Sequence, residues 1–448
     1  MTVTPSRGKM NNSFNPATVA GLDDHTKSMI ERRMRLLGPA YRLFYNTPVE
    51  FVRGKGVKLW DKDGNEYLDA YNNVVSIGHA RPEVNEAVAK QMDILCTHTR
   101  YLQEGILDFA EDLLATYGGT MSAEGHTMFT CTGSEANDLA MRIAMHKTGK
   151  RGIIVTSEAY HGNSYLSAGF SPAMGEFSPL GEYVRTVPAP DTYRIPRDQV
   201  GDYFAEQVQL QIDDLERHGD GVAAFIVDSL FSSDGIYSEP ANMMTKVAEV
   251  VRAAGGLFVA DEVQCGFGRG GDSLWGYQRF GLDPDIVTMG KPMGNGYPVA
   301  GIAVRHDVVE SFGYDMRYFN TFGGNTVAMA AAQATFNVIR DEKLVQNSHD
   351  VGAFLKAGLE NLAGSYDVIG DVRGSGLYYG VELVTDRTSK APDAPSTAAV
   401  VNGLRERRVL ISTTGPAANV LKIRPPLVFS EENATHLLTE LEATLAAL

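Results

Sequence analysis

Four short apolar runs, GIIVTS at 152–157, AAFIVD at 223–228, GLFVADE at 256–262 and DIVTMG at 285–290, limit the architecture more than any other feature of the chain. Their apolar residues do not alternate with polar ones, so neither face of such a strand can be solvated, and stretches with helical spacing separate the runs. Strands buried on both faces and joined through helices form a parallel sheet between helical layers, which makes this an α/β fold. Open sheets of that kind bind ligands beyond the carboxyl ends of their strands. Asp228, Asp261 and, just past the fourth run, Lys291 stand at those ends, so the chemistry is expected along that edge.

A chain of 448 residues can bury one large core and a smaller one. From Glu50 to Ala70 it reads as short strands around an Asp63-Gly64 turn. After about residue 330 long helical patterns (VAMAAAQATFNVIRDEKLVQ, HLLTELEATLAAL) mix with a strand, RGSGLYYGVELV. The expected division is an N-terminal arm at 1–25, a small α+β domain from 26–75 and 330–448, and a large α/β domain at 76–329. A net charge of −15 repels nucleic acid and anionic lipid. No run approaches the roughly 18 apolar residues of a membrane span, and the first 16 residues lack a continuous apolar stretch. Cys96, Cys131 and Cys265 have no metal spacing and cannot form a disulfide framework. Neither nucleic acid, membrane nor metal is therefore expected, and the location expected is the reducing cytoplasm.

Three segments could carry chemistry. Thr132-Gly133-Ser134-Glu135-Ala136-Asn137 is a small-residue turn opening a helix, where free N–H groups and the helix dipole can hold a phosphate; the plainer reading is an N-cap. Asp261, in Asp261-Glu262-Val263-Gln264, ends an apolar strand, and a carboxylate buried there needs a cationic or hydrogen-bonding partner; for an isolated Asp an N-cap or a turn salt bridge is the commoner role. Lys291 lies in Thr288-Met289-Gly290-Lys291-Pro292-Met293-Gly294-Asn295-Gly296, where glycine-rich backbone can desolvate the amine and free it as a nucleophile. Most lysines are simply solvated, so company decides. Phosphate cradle, acidic partner and strand-end lysine, in that order on one sheet, are what pyridoxal phosphate requires.

With these motifs the chain resembles the fold type I pyridoxal-phosphate enzymes of the class III aminotransferase group, from about Tyr45 to the C-terminus. The resemblance implies a mainly parallel sheet of the seven-stranded type in the large domain. It implies that Lys291 forms the Schiff base with the cofactor, Asp261 pairs with the ring nitrogen, and Gln264 sits near the ring hydroxyl. Val263 would press on one ring face and Tyr160, in Tyr160-His161-Gly162, on the other, with His161 and Asp228 also at the cofactor. Gly133 and Ser134 would bind its phosphate. Thr321, in Asn320-Thr321-Phe322-Gly323-Gly324-Asn325, would reach the phosphate held by a neighbouring subunit, so a homodimer with interfacial active sites is implied.

Aminotransferases of this group hold the acceptor's carboxylate with an arginine a few residues before a proline-rich stretch. Here that region reads Leu421-Lys422-Ile423-Arg424-Pro425-Pro426, which puts Lys422 at the arginine's place. The entrance segment carries Asn72-Asn73 instead of a glycine-rich piece, and Asp228 replaces a common Glu. With GKPMGNGYPVAG and RYFNTFGGN, these departures resemble the ethanolamine-phosphate phospho-lyases. The activity so implied is elimination of phosphate from O-phosphoethanolamine or a related phosphorylated amine, phosphohydroxylysine included. Lys422, Arg424, Arg100 and Asn73 are the candidates for holding the substrate, each with an ordinary structural alternative. The competing expectations are an ω-aminotransferase using a keto acid and a cofactor carrier that has lost catalysis.

Overall fold

A computed structural model describes residue 10 and residues 12–448. The expected arm lies partly outside the described residues. Within them, Phe14 is buried and its N–H bonds the Leu43 carbonyl at 2.8 Å, so this stretch is strapped to the body.

Three strands open the chain: β1 (Phe51–Lys55), β2 (Lys58–Asp61) and β3 (Glu66–Asp69). β2 and β3 pair antiparallel across the expected turn, where Gly64 takes φ +83°, a conformation that favours glycine. The large sheet follows, built from β4 (His126–Thr130), β5 (Gly152–Thr156), β6 (Val184–Val187), β7 (Val222–Asp228), β8 (Leu257–Asp261), β9 (Ile286–Met289) and β10 (Ala300–Val304). Its order is β4-β10-β9-β8-β7-β5-β6. The four apolar runs are its centre, mutually parallel and buried along almost their whole length. β10 lies antiparallel between β4 and β9. Apolar cores sit on both faces, one around Phe225, Phe258 and Trp275, the other around Ile143, Ile226 and Val259.

The remaining strands are β11 (Ile369–Ser375), β12 (Tyr378–Asp386), β13 (Ala391–Pro392), β14 (Val409–Leu410), β15 (Ser412–Thr414) and β16 (Val420–Ile423). β14 runs parallel to β3, so the chain's two ends share a sheet and a core that includes Tyr67, Leu355 and Leu421. Two expectations are corrected here. RGSGLYYGVELV is not one strand: Gly376, at φ +55°, turns β11 back into β12. The helix expected at 327–346 is broken, because Lys343 takes φ +55° between helices Thr326–Asp341 and Leu344–Ser365.

Candidate active site

Strands β7 and β8 end in register, Asp228 opposite Asp261, and β9 runs on through Gly290 to Lys291. A cavity opens at this edge. Gly133, Ser134, Tyr160, His161 and Asp228 are in its wall with Asp261, Val263, Gln264 and Lys291, which brings together nine of the ten residues expected at the cofactor. Thr321, the tenth, is exposed and does not line this cavity.

The first wall is the start of helix Gly133–Thr148. Thr132 caps it, its hydroxyl accepting from Glu135 N–H while the Glu135 carboxylate takes the N–H groups of Cys131 and Thr132. The capping box stops there, so the N–H groups of Gly133 and Ser134 keep no partner among the described residues and face anions with the helix dipole behind them. The cap therefore leaves two N–H groups free for an anion. The Ser134 hydroxyl and Asn163 fasten the neighbouring 160–164 loop, Asn163 N–H donating to Ser134 Oγ at 3.1 Å. Glycine is required at 133, where a Cβ would lie 2.8 Å from Val263 Cγ1.

Asp261 and Glu262 are successive residues and point opposite ways. Glu262 turns away from the cavity, accepting from Ser229 Oγ at 2.6 Å and from the N–H groups of Gly276 and Tyr277 at 2.8 Å. Burial pushes its carboxyl up to about 7 against those bonds. Asp261 faces the cavity. Its Oδ2 accepts from His161 Nδ1–H at 2.6 Å and Asn137 Nδ2 at 2.9 Å, and its Oδ1 accepts from Val263 N–H at 3.0 Å. Burial favours protonation, but the His161 bond and charge, the Val263 N–H and Lys291 outweigh it and hold Asp261 below the ordinary carboxylate range. His161 Nε2 and Asn137 Oδ1 are buried with no partner among the described residues.

Asn137 was not singled out from sequence, yet it ties the helix to the key carboxylate: its Nδ2 also bonds the His161 carbonyl at 2.6 Å. The available signal was its spacing, four residues after Gly133 and three after Ser134, on the same helix face. Lys291 is the cavity's amine. Burial lowers its pKa, aided by Arg424 and opposed by Asp261 and Asp228. Burial, with Asp261 next, raises the pKa of Asp228.

The expected substrate residues fall in different places. Asn73 is buried, its Nδ2 donating to the Gln264 carbonyl at 2.8 Å. Arg424 bonds the Tyr71 carbonyl through Nε at 3.1 Å and the Gln264 side chain through Nη1. Lys422, like Asn73 and Arg424, does not line the cavity; its Nζ donates to the Ser232 carbonyl at 2.9 Å. Arg100 is exposed over the Phe319 ring, 3.8 Å from its centre, and also lies outside the cavity wall.

The sequence profile of the family described as aminotransferase class-III matches residues 43–445. Among relatives, an ethanolamine-phosphate phospho-lyase homolog of Caenorhabditis elegans is 36% identical over 457 residues, with 97% of each chain covered. An alanine–glyoxylate aminotransferase 2-like protein of Drosophila melanogaster is 38% identical, covering 94% of this chain and 87% of its own. Among solved structures, a phospholyase from Arthrobacter in complex with phosphoethanolamine superposes with TM-score 0.90 at 41% identity, over 94% of this chain and all of that one. A Bacillus anthracis aminotransferase gives 0.86 at 29% identity, over 95% of this chain and 100% of that one.

Proposed function

The chain belongs to the class III aminotransferase family, and from that footing we propose that it is a pyridoxal-phosphate-dependent lyase that eliminates phosphate from O-phosphoethanolamine or a close phosphorylated amine. The likeness, over nearly the whole chain, to a phospholyase holding phosphoethanolamine carries the reading. The residues at the cavity fit the cofactor. Two unengaged N–H groups at a helix start suit its phosphate, and Asp261 Oδ1, with one donor only, keeps acceptor capacity for a protonated ring nitrogen. Bound there, pyridoxal phosphate supplies an aldehyde that joins the substrate amine and a ring that takes up an electron pair.

In this reading Gly133 and Ser134 anchor the phosphate, Val263 and Tyr160 hold the ring from its two faces, and Gln264 lies at the ring hydroxyl. Lys291 holds the cofactor until substrate arrives, and its Nζ then takes the proton from the carbon bearing nitrogen. The lowered pKa leaves more of that amine neutral near pH 7, as a base must be. Asp261 stays ionised beside the ring nitrogen. Phosphate departs from the neighbouring carbon, and water completes acetaldehyde and ammonia as the other products. No keto acid is consumed.

An ω-aminotransferase would use the same cofactor site but must also bind a keto-acid carboxylate. Lys422, at the position aligned with the aminotransferase arginine, has its ammonium on a backbone carbonyl, which favours the lyase. The purified protein is expected to release inorganic phosphate from O-phosphoethanolamine without added pyruvate or 2-oxoglutarate, and to keep its aldehyde-form absorbance. Keto-acid conversion without phosphate release would establish the aminotransferase instead. A coloured protein inert toward every amine would leave a cofactor carrier.

We also propose a homodimer, supported by the exposure of the large apolar side chains Tyr101, Leu102 and Phe322, Leu102 at 98%. Three free cysteines support a cytoplasmic location, and among the described residues no helix is long and apolar enough to cross a membrane. A large cofactor domain and a small domain from both chain ends remain the division proposed. Helix Thr326–Asp341 belongs with the large one, since Ala332 and Phe336 pack in its core.

Gly133→Ala is expected to weaken pyridoxal phosphate binding about ten- to a hundredfold, the scale of overpacking a tight contact. Absorbance titration of the apoprotein measures it, and an unchanged dissociation constant would remove Gly133 from the cradle.

A further inference from the structure

Beyond the Tyr160-His161 wall of the cavity lies a buried carboxyl that the reaction proposed above does not use. Asp234 is 4% exposed and sits on the loop 229–237 that follows β7. Its Oδ2 accepts from the Thr156 hydroxyl, at the end of β5, at 2.8 Å, and its Oδ1 accepts from Glu158 N–H at 3.1 Å. Burial pushes this carboxyl up to about 7 against those two bonds, and the charges of Glu158 and Asp228 add to the rise. Lys422 on β16 and Tyr237 on the same loop also feel its charge, and Arg373 on β11 lies against the adjoining Gly235. A carboxyl that burial and like charge keep as readily neutral as ionised near pH 7 serves its two partners by its shape more than by its charge.

The loop that carries Asp234 is itself held in one conformation. Arg373 Nε donates to the carbonyls of Gly235 at 2.9 Å and Ile236 at 3.0 Å, while its Nη1 is fixed by Glu382 at 2.7 Å. At the end of β15 the Thr414 hydroxyl donates to the Ser232 carbonyl at 2.8 Å and Gly415 N–H to the Ser233 carbonyl at 3.1 Å. Phe231 and Ile236 are kept at φ +52° and +67°, which strains bulky and β-branched residues and persists only where the surroundings impose it. Asp234 is therefore a fixed point, and Glu158 leads from it in two residues to Tyr160. Past Tyr160, Ser171 Oγ accepts from His161 N–H at 2.9 Å and Asn137 Nδ2 donates to the His161 carbonyl at 2.6 Å. Tyr160 makes no hydrogen bond of its own among the described residues, so its place depends on these two anchors.

We infer that Asp234 is a positioning residue, which fixes Thr156 and Glu158 so that the Tyr160 ring is presented to the cofactor. This assignment rests on the cofactor reading above, in which Tyr160 meets one face of the ring. A wall that is in place only part of the time lowers the apparent affinity by the fraction in place, so a residue that never touches the cofactor still governs its binding.

The test is absorbance titration of the full-length apoprotein with pyridoxal phosphate, read together with the visible circular dichroism of the bound cofactor and the thermal midpoint of the apoprotein. Asp234→Ala leaves the Thr156 hydroxyl and Glu158 N–H without their partner. It is expected to raise the dissociation constant about ten- to a hundredfold, as for a wall in place about one part in ten to one in a hundred. The visible circular dichroism, which reports how the ring is set, is expected to shrink with it. Asp234→Asn keeps both bonds, Oδ1 accepting from Glu158 N–H and Nδ2 donating to Thr156 Oγ, and is expected to bind within about twofold of the parent. Should Asp234→Ala fail to fold, Thr156→Val, which removes one donor, must still raise the constant at least about fivefold. A lowered thermal midpoint in Asp234→Ala with the dissociation constant unchanged, or an asparagine variant as impaired as the alanine one, overturns the assignment. A parent protein that binds no pyridoxal phosphate refutes the cofactor reading instead.

Discussion

Lys291→Ala is expected to lower phosphate release at least about 10⁴-fold while leaving the fold in place, because in the proposed reaction one amine is both attachment point and base. Among the described residues Lys291 makes no hydrogen bond or ion pair within the protein, so its truncation breaks no structural contact. Its surroundings do the tuning: burial disfavours the ammonium most, Asp261 opposes that, and the smaller effects of Arg424 and Asp228 act in opposite directions. Asp261 keeps its bonds from His161, Asn137 and Val263 in the alanine variant, so the thermal midpoint is expected to move little. Borohydride reduction followed by peptide mapping is expected to place the pyridoxyl group on Lys291 in the parent protein. A variant that turns over above about 1% of the parent rate, or that carries the label elsewhere while active, contradicts the assignment.

The strands that place these groups were readable because a parallel strand buried on both faces has no polar side to disguise it. Asp228, Asp261 and Lys291 follow from the ends of those strands. β4, β6 and β10 were not read, since His126–Thr130 and Val184–Val187 mix polar and apolar residues, and the direction of Ala300–Val304 depends on its neighbours in the sheet. Side-chain commitment was the hardest part to read. Lys422 alternates with the core residues Leu421 and Ile423, which shows the face it points from, but not that the Ser232 carbonyl would be waiting there. Arg269 left no signal because its partners, the carbonyls of Leu377 and Pro425, are more than a hundred residues away. Asn137 lay inside a motif that was read only for its phosphate-facing end.

Asp261→Asn is expected to lower kcat/KM about 10²- to 10⁴-fold with the cofactor retained, the scale of removing one partner of a buried charge pair. The asparagine has one acceptor oxygen where the carboxylate has two. His161 Nδ1–H, Asn137 Nδ2 and Val263 N–H cannot all be satisfied, and the negative charge proposed to keep a ring nitrogen protonated is gone. Stability should respond in a defined pH window. Because the folded pKa lies below the unfolded value, the contribution of Asp261 is complete above the unfolded value of about 4 and fades as pH falls through the folded one. Urea unfolding of the parent and variant between pH 3 and 7 is expected to show the smaller acid dependence in Asp261→Asn. Asp261→Glu preserves the charge but displaces it by one methylene, so it should keep more activity than the asparagine variant if charge dominates, and less if the fixed geometry of His161 and Asn137 dominates. Turnover of Asp261→Asn within about tenfold of the parent would mean that the ring nitrogen draws its proton from another group, and the role given to this carboxylate would be wrong.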